Sequence, residues 1–407
     1  MRRRLLLLGL WAAVYSTAAW SAGPRAGEPH WFKGNTHTHT LWSDADGAPE
    51  LVAAWYREHG YDFLVLSDHN VWLAGESWFP IDDPQDPRLT SAQVDELCTQ
   101  FGTDAVEVRE HEGRQEMRLH TLDELRARFE RPGEFLFVAG EEITDGSVPL
   151  PVHVNGLNLA EVIPPQGGTS ALEIAQRDLD AVLAQGKRLG RPVLAHLNHP
   201  NFKWAFTVDD VARLRSERFF EIYNGHPMTG TNGDANHPSA ERMWDEANAR
   251  RLFELDLPLL YGIASDDSHN YHEFGVQKSN SGRGWIVVRA SELTAESLLG
   301  AMRAGEYYAS SGVELEDVRF DKKSLTLDIA AEAGVTYTTQ FIGYRRRAGE
   351  GPEGPLVFLE TSTDPARYEL DGREAFVRAK VTSSRLHPNP FAAGDHECAW
   401  TQPVQPD

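Results

Sequence analysis

Cysteine is scarce in this 407-residue sequence, and internal repeats and low-complexity tracts are absent from it. The two cysteines, Cys98 and Cys398, are far apart and neither lies near a histidine-rich motif, so we do not expect them to bind metal. A disulfide between them stays open, because pairing requires that the side chains meet in the fold. The ordinary composition excludes fibrous and disordered architectures, and the length favours two domains.

Long apolar runs are also missing, apart from a short one near the N-terminus. Three arginines follow Met1, then an apolar run from Leu5 to Val14, then small residues with candidate cleavage points near Ala19 and Ala22. This order is typical of a secretory signal peptide, and the run is shorter than the ~20 residues of a membrane-spanning helix. We therefore expect a signal peptide over 1–22, export to the periplasm or the extracellular space, and no stable membrane insertion.

Positive charge is in deficit. The sequence has 39 Lys and Arg against 61 Asp and Glu, a formal net charge of −22, which becomes about −25 once the arginines of the signal are removed. Binding to nucleic acid or to an anionic membrane draws on clustered Lys and Arg. A nucleic-acid substrate is therefore disfavoured, and a small-molecule substrate is expected.

The first three quarters of the chain alternate short β-rich runs with amphipathic helical stretches. This alternation is typical of βα units around a parallel sheet. Strands are predicted at 31–35, 61–66, 135–139, 152–157, 192–197, 219–223, 258–264 and 285–288. Helices are predicted at about 49–60, 171–189, 240–253 and 295–303. Eight strands with intervening helices indicate an α/β fold of the TIM-barrel type.

Two regions fall outside the barrel pattern. Residues 72–131 are charged and partly helical, and we interpret them as an insertion on the barrel rim. After Gly312 the helical period is lost, and Leu325, Leu327 and Ile329 alternate with polar residues, which predicts strands. We expect the barrel over 31–312 and a small all-β, sandwich-like domain over 313–407.

Residues of types that bind metals lie on the predicted strands or just after their ends. The set is His37, His39, Asp68, His69, Glu142, His153, His196, His199, Asp266, Asp267 and His269. Because the C-terminal ends of parallel barrel strands converge on one face, residues far apart in sequence can share one pocket. Each motif alone is a weak signal, but the set is hard to obtain by accident. His196 is ambiguous, and the remaining histidines, His226 among them, lack this placement.

These motifs resemble those of the PHP family, the polymerase and histidinol phosphatase domain. The matching segments are NTHTHTLWSD at 35–44, LSDHN at 66–70, AGEEIT at 139–144, AHLNHP at 195–200 and GIASDDSH at 262–269. They follow the order of the family's motif blocks and cover about 31–311. The resemblance implies a distorted seven-stranded β/α barrel, so that one of the eight predicted strands would be peripheral.

The resemblance also implies two or three bound divalent ions, for which Zn, Mn or Fe are the candidates. The implied ligands fall into three sets: His37, His39, Glu142 and Asp267; His69, His269 and Asp44; Glu142, His153 and His199.

Two ligand positions are open. The family's usual Ser-Asp-Gly turn is extended here to Ser43-Asp-Ala-Asp-Gly47, which leaves Asp44 or Asp46 as the ligand. Glu141 and Glu142 are adjacent, and the family spacing favours Glu142.

The leading hypothesis for the reaction is hydrolysis of a phosphate ester by a metal-activated water. Asp68 and His69 are the catalytic candidates, with His69 or another pocket histidine protonating the leaving oxygen. Lys203 and Arg283 are predicted to bind the phosphate. Asn224 is predicted to orient a ligand or the substrate, and Glu221 to accept a hydrogen bond from a metal-binding histidine.

Two other functions are considered. Amidohydrolase barrels also begin with a His-x-His motif, but they rely on a bridging Lys, whereas the third predicted strand here ends near Glu142. A protein in which metals only stabilise a binding domain is the other alternative. Structural metal sites are usually closed and few, so the large ligand set argues against it.

Overall fold

A computed structural model of the chain describes residues 29–346 and 351–406. These residues form seven α-helices and nineteen β-strands, so the protein is a mixed α/β protein. The predicted signal peptide, 1–22, lies outside the described residues. Within the described ranges, no helix combines the length and the apolar character that crossing a membrane requires.

The elements alternate in the first three quarters of the chain and are strands alone at its end. The helices are α1 (Pro49–Glu58), α2 (Ser91–Phe101), α3 (Leu122–Phe129), α4 (Ala171–Leu189), α5 (Val208–Arg213), α6 (Ala240–Arg250) and α7 (Ala295–Ala304). The strands up to α7 are β1 (His30–Asn35), β2 (Phe63–Leu66), β3 (Trp78–Pro80), β4 (Val108–His111), β5 (Arg114–Arg118), β6 (Leu136–Asp145), β7 (Val152–Leu157), β8 (Leu194–Leu197), β9 (Phe219–Asn224), β10 (Tyr261–Ser265) and β11 (Trp285–Ala290). The later strands are β12 (Tyr307–Ser310), β13 (Leu315–Phe320), β14 (Ser324–Ile329), β15 (Tyr337–Arg345), β16 (Glu353–Thr361), β17 (Ala366–Glu369), β18 (Glu374–Leu386) and β19 (His396–Thr401).

The helix ends follow local sequence signals. Pro49 occupies the first turn of α1, and the chain leaves that helix at Gly60 with a φ of 72°. Helix α4 begins after Ser170, whose side chain accepts a hydrogen bond from the Glu173 N–H, and ends at Gly190 in the left-handed conformation. These are favoured residues at helix starts and stops. The predicted positions of α1, α4, α6 and α7 are confirmed to within a few residues.

One large sheet of thirteen strands runs through the molecule in the order β10-β9-β8-β7-β6-β2-β1-β11-β12-β19-β18-β15-β16. The pairs β1/β2, β2/β6, β8/β9 and β9/β10 are parallel, as the alternating pattern predicts. The expectation of an all-parallel sheet is wrong for β7 and β11, which are antiparallel to their neighbours. The six residues between β6 and β7 are too few for the crossover that a parallel pair needs.

The sheet curls so that its early and late strands meet at one end. The Asp267 N–H donates to the His37 carbonyl over 3.0 Å, and the His39 N–H donates to the Ser268 carbonyl over 3.1 Å. These bonds join the segment after β1 to the segment after β10. The residues that follow the parallel strands therefore surround a common point.

The segment 72–131 carries two helices, as expected, and also a small sheet, β3-β5-β4, that the sequence analysis missed. Strands β4 and β5 are mostly polar and largely exposed, so they lack the apolar alternation that predicts a strand. A two-residue turn of Glu112 and Gly113, both with positive φ, joins them. Positive φ at both positions suits the right-handed twist of a hairpin.

The strands after α7 extend the large sheet and add a second small one, β13-β14-β17. A buried ion pair attaches this region to α6, since the Arg378 guanidinium donates to both carboxylate oxygens of Asp245 over 2.7 Å. Cys98 and Cys398 are both unpaired thiols.

Candidate metal centre

All nine residues predicted to bind metal lie in one cluster at the curled end of the sheet. They form four overlapping groups whose ligand atoms are within 4.8 Å of one another. The groups are His39, Asp44, His69 and His269; His37, His199 and Asp267; His37, His39 and Glu142; His69, Glu142 and His153.

Glu142 lies at the centre of the cluster. Its Oε1 is 3.3 Å from His37 Nε2 and 3.0 Å from His153 Nδ1, and its Oε2 is 3.3 Å from His39 Nε2 and 2.9 Å from His69 Nδ1. The side chain is fully buried. One carboxylate thus faces imidazoles from several different segments of the chain.

Strand alternation separates Glu142 from its neighbour Glu141. Strand β6 continues past the predicted end at 139, so both glutamates lie within it and point to opposite faces. The Glu141 carboxylate accepts the Ile163 N–H over 3.1 Å, and burial raises its pKa to about 8. The geometry therefore favours Glu142 as the ligand.

Asp44 and Asp46, the candidates for the second open position, can be compared in the same way. Asp44 Oδ1 is 3.2 Å from His269 Nε2, and Asp44 Oδ2 is 3.5 Å from His69 Nε2. The Asp46 carboxylate instead accepts the Tyr271 N–H over 2.7 Å and fixes the loop after β10. Asp44, and not Asp46, faces the cluster.

Asp267 faces the cluster from the other side. Its Oδ1 is 3.2 Å from His37 Nε2 and 3.3 Å from His39 Nε2. Both Asp267 and His199 have positive φ, 50° and 20°, which is an unfavourable backbone conformation for such residues. Strain of this kind concentrates at functional sites, where the surrounding structure holds it.

The electrostatics of the cluster are those of ionised carboxylates among imidazoles. Burial alone would raise the pKa of Glu142, but the facing histidines His37, His69 and His153 outweigh it and hold that pKa well below its usual value. Conversely, burial would lower the pKa of His69, but Glu142 and Asp44 raise it to about 11. The facing carboxylates and imidazoles therefore stabilise each other's charged forms.

The donor set fits divalent cations. Two ligands that share an ion at about 2.1 Å are separated by about 3.0–3.4 Å. The Nε2 atoms of His37 and His39 lie 3.2–3.3 Å from oxygens of Glu142 and Asp267, which is that separation. Both nitrogens lie within the described ranges, are buried and make no hydrogen bond. Buried polar atoms are seldom left without a partner, so a cation is the natural one.

Glu221 on β9 holds the ligands in place, as predicted. Its carboxylate accepts hydrogen bonds from His37 Nδ1 (2.7 Å), Ser265 Oγ (2.6 Å), the His199 N–H (2.7 Å) and Asn224 Nδ2 (2.8 Å). The bond to His37 Nδ1 directs the proton to that nitrogen and leaves Nε2 free to bind a cation. Asn224 also donates to Asp267 Oδ2 over 3.1 Å, so it orients a ligand and does not line the cavity.

The predicted catalytic pair is divided by the structure. His69 lines the cavity, whereas Asp68 is fully buried and does not. The Asp68 carboxylate accepts hydrogen bonds from the Thr40 N–H over 2.8 Å and from Ser43 Oγ over 2.7 Å. Asp68 therefore fixes the turn that carries Asp44, and its carboxylate does not reach the cavity.

Neither cation predicted to bind phosphate lines the cavity. The Arg283 side chain is fully buried, and its guanidinium donates to the carbonyls of Gly225 (2.8 Å), Gly275 (2.8 Å) and Lys278 (2.5 Å). The structure thus contradicts the prediction for Arg283, which fastens loops together. Lys203 is exposed at the rim, with its Nζ 5.3 Å from the centre of the Phe202 ring.

The cavity over the cluster has a volume of about 240 Å³. Besides the predicted ligands, it is lined by Phe202, His226, Met228 and Thr229. His226 was set aside in the sequence analysis, although it follows β9 by two residues and so meets the strand-end criterion used for the others. Its Nδ1 accepts the Met228 N–H over 3.2 Å, which leaves Nε2 to carry the proton. His196, the ambiguous member, is buried, and it belongs to none of the four ligand groups found in the described ranges.

Comparisons with protein-family models and with curated proteins find no match. A comparison with solved structures finds matches, of which three are described here. A two-domain protein of Bacteroides vulgatus, described as containing a predicted PHP-like metal-dependent phosphoesterase, is 16% identical, with a TM-score of 0.42 over 94% of this chain and 97% of that one. A protein of Bifidobacterium adolescentis assigned as a metal-dependent phosphoesterase is 13% identical, with a TM-score of 0.29 over 62% and 92%. An amidohydrolase of Chromobacterium violaceum, solved with sulfate and no metal, is 12% identical, with a TM-score of 0.31 over 59% and 88%. Two of these three structures are thus described as metal-dependent phosphoesterases, and the description of one of them adds a predicted PHP-like character.

Proposed function

We propose that the protein is a metal-dependent hydrolase that cleaves phosphate esters, with two or three divalent ions held by the nine clustered residues. The observation that carries the proposal is the spacing around Glu142. Buried imidazole nitrogens stand 3.3 Å from its carboxylate oxygens without hydrogen bonds, at the separation of ligands on a common ion. His37, His39 and Asp267 complete that arrangement.

Divalent ions held there would supply a deprotonated water at neutral pH and would stabilise the negative charge on phosphorus. In the reaction, the water oxygen forms a bond to phosphorus, the ester P–O bond breaks, and the leaving oxygen takes up a proton. His226 is placed to donate a hydrogen bond from Nε2 to a substrate oxygen, because its other nitrogen is occupied by the Met228 N–H. For His69 we propose two alternative roles, because an imidazole nitrogen bound to an ion carries no proton: it is a ligand of an ion or, if it stays unbound, the proton donor to the leaving oxygen.

The fold and the location of the protein are part of the same proposal. We suggest that β1, β2 and β6 to β10 are the seven strands of a distorted barrel over 31–312, with β11 peripheral and a β domain over 313–407. The hydrogen bonds between the segments after β1 and β10 support this closure. The N-terminal signal pattern supports export to the periplasm or beyond.

The test is elemental analysis of protein purified without chelator, followed by assays on panels of phosphate esters, carboxylic esters and amides with added Mn or Zn. We expect two or three equivalents of metal and turnover of phosphate esters. The matched control is the double variant His37→Ala/His39→Ala, which should lose both. Equal activity in the variant, or turnover of amides alone, would overturn the proposal.

A further inference from the structure

The cavity over the metal centre has a mixed lining. The metal-binding residues line it together with two apolar residues, Phe202 and Met228, which we call the apolar wall. No lysine or arginine lines the cavity within the described part of the chain. Its volume of about 240 Å³ lies below the ~300–1,000 Å³ of common ligand sites, which favours a small substrate.

The Phe202 part of the apolar wall is held in place by its neighbours. The Phe202 ring packs against the ring of His199 at 5.4 Å between centroids and lies 6.2 Å from that of His153. Asn201, next to Phe202, donates from Nδ2 to the Gly230 carbonyl over 3.0 Å and so ties the loop after β8 to the loop after β9. A substrate therefore meets this wall without a loop rearrangement.

Met228 is the adaptable part of the wall. Its backbone is held by the bond to His226 Nδ1, while the residue as a whole is 67% exposed. An exposed, flexible thioether side chain can cover an apolar group of a bound ligand. Burying such a group against Phe202 and Met228 would remove apolar surface from water and stabilise the complex.

The charges of the site disfavour a second anionic group. Two or three divalent ions would bring a charge of about +4 to +6, and the carboxylates of Asp44, Glu142 and Asp267 together with the phosphate dianion of the substrate would offset about 5 units of it, so little positive charge would remain for a second anion. Asp44 is also the exposed member, with 55% of its side chain accessible. A substrate anion beyond the phosphate would face Asp44 or the apolar wall, where a charge loses hydration without gaining a partner.

We infer that the site takes esters with a single phosphate and a compact, uncharged, mainly apolar alcohol group that packs on Phe202 and Met228. This inference rests on the proposed phosphoesterase function. Lys203, exposed beside Phe202, is the feature that favours the opposite result, because its ammonium group can pair with a second anion on the substrate.

Three aryl esters separate charge from size: phenyl phosphate, 4-carbamoylphenyl phosphate and 4-carboxyphenyl phosphate. The carbamoyl group matches the carboxylate in size without its charge, and neither substituent makes the phenol a worse leaving group. We expect the two neutral esters to have similar kcat/KM values and the carboxylate to be about tenfold or more lower. The matching phosphonates, which cannot be hydrolysed, should show the same order of binding to the metal-loaded protein in calorimetry.

Variants of the wall give the second test. Met228→Lys should raise kcat/KM for the carboxylate relative to phenyl phosphate by about tenfold, because it places a cation on the wall. Met228→Leu is the matched control and should keep the wild-type preference, as should Lys203→Ala.

The outcomes separate the inference from the proposed function. Absence of turnover for all three esters would overturn the proposed function and, with it, this inference. Turnover with equal kcat/KM for all three, or equally poor turnover of both substituted esters, would overturn the inference alone. If the wild type prefers the carboxylate ester and Lys203→Ala loses that preference, Lys203 recognises a second anion. That result would also overturn the inference.

Discussion

Replacement of Glu221 by glutamine is the sharpest test of the metal centre, because Glu221 lies outside the cavity and yet holds two of the proposed ligands. Its four hydrogen bonds come from His37, His199, Asn224 and Ser265. Two donors point at each carboxylate oxygen, so the amide NH₂ of a glutamine must face two of them in either orientation. The backbone N–H of His199 cannot become an acceptor, whereas the hydroxyl of Ser265 and the imidazole of His37 can.

In the Glu221→Gln variant, the favoured orientation of the new side-chain amide would therefore place its NH₂ against His37 and make His37 Nδ1 the acceptor. The proton of that imidazole then moves to Nε2, the atom that faces Glu142 and Asp267. A protonated Nε2 cannot bind a cation. Loss of an outer partner of this kind typically weakens metal binding about 10–100-fold, which corresponds to about 1.4–2.8 kcal/mol.

The assay is competition for Zn²⁺ between the protein and a chromophoric chelator at neutral pH. Glu217→Gln is the matched control, since Glu217 is also a buried carboxylate, paired with Arg303 at 2.8 Å outside the cluster. We expect the control to bind metal as the wild type does. Wild-type affinity in Glu221→Gln, or an equal loss in Glu217→Gln, would refute the reasoning.

Three further predictions follow from single contacts. Arg283→Met should lower the free energy of unfolding, measured by denaturant titration, by at least about 3 kcal/mol, because buried carbonyls lose a charged donor. KM for a phosphate ester, measured by steady-state kinetics, should stay unchanged. A raised KM without destabilisation would instead indicate that Arg283 binds the phosphate. His226→Phe should lower kcat/KM about tenfold through loss of a hydrogen bond to an anionic substrate, with metal content unchanged by elemental analysis; an unaltered kcat/KM would exclude the contact. Burial raises the pKa of Asp178 from 3.8 to about 7, so the folded state holds its proton more tightly and stability falls as pH rises through about 7. Between pH 5 and pH 8, the melting temperature should therefore depend less steeply on pH for Asp178→Asn than for the wild type. Equal slopes of melting temperature against pH for the two proteins would contradict this.

The positions of the main strands and helices could be predicted from local patterns. The strand at 152–157 and the helix at 171–189 were predicted with the bounds that the structure gives. Their signals lie within the segments themselves, in apolar periodicity and in capping residues such as Ser170 and Gly190. The small sheet of the insertion was missed because its strands are exposed and charged, so no periodicity marks them.

Eight of the nine candidate ligands were predictable from metal-binding residue types on or after successive strands, which are expected to converge. Asp44 was implied only by the family resemblance, with Asp46 as the alternative. All nine lie in one cluster. The same criterion applies to His226, which follows the predicted strand end at 223 by three residues, as Glu142 follows the predicted end at 139. Arg283 was misplaced because its sequence neighbourhood, glycine on both sides, is as compatible with a buried link between loops as with an exposed phosphate contact.

The sequence by itself determined the main strands and helices of the first three quarters of the chain and the residues with the chemistry to bind a cation, because both are properties of short stretches of chain. Only the tertiary structure decided the direction of β11, which depends on its pairing with the distant β1. It also showed that β6 extends to Asp145, which leaves too short a connection for β7 to run parallel to it. It also decided which oxygens meet which imidazoles around Glu142, since side chains from separate strands reach that point only when the sheet curls. Ligand geometry depends on separations of a few tenths of an ångström, and such separations are set by the packing of the whole fold.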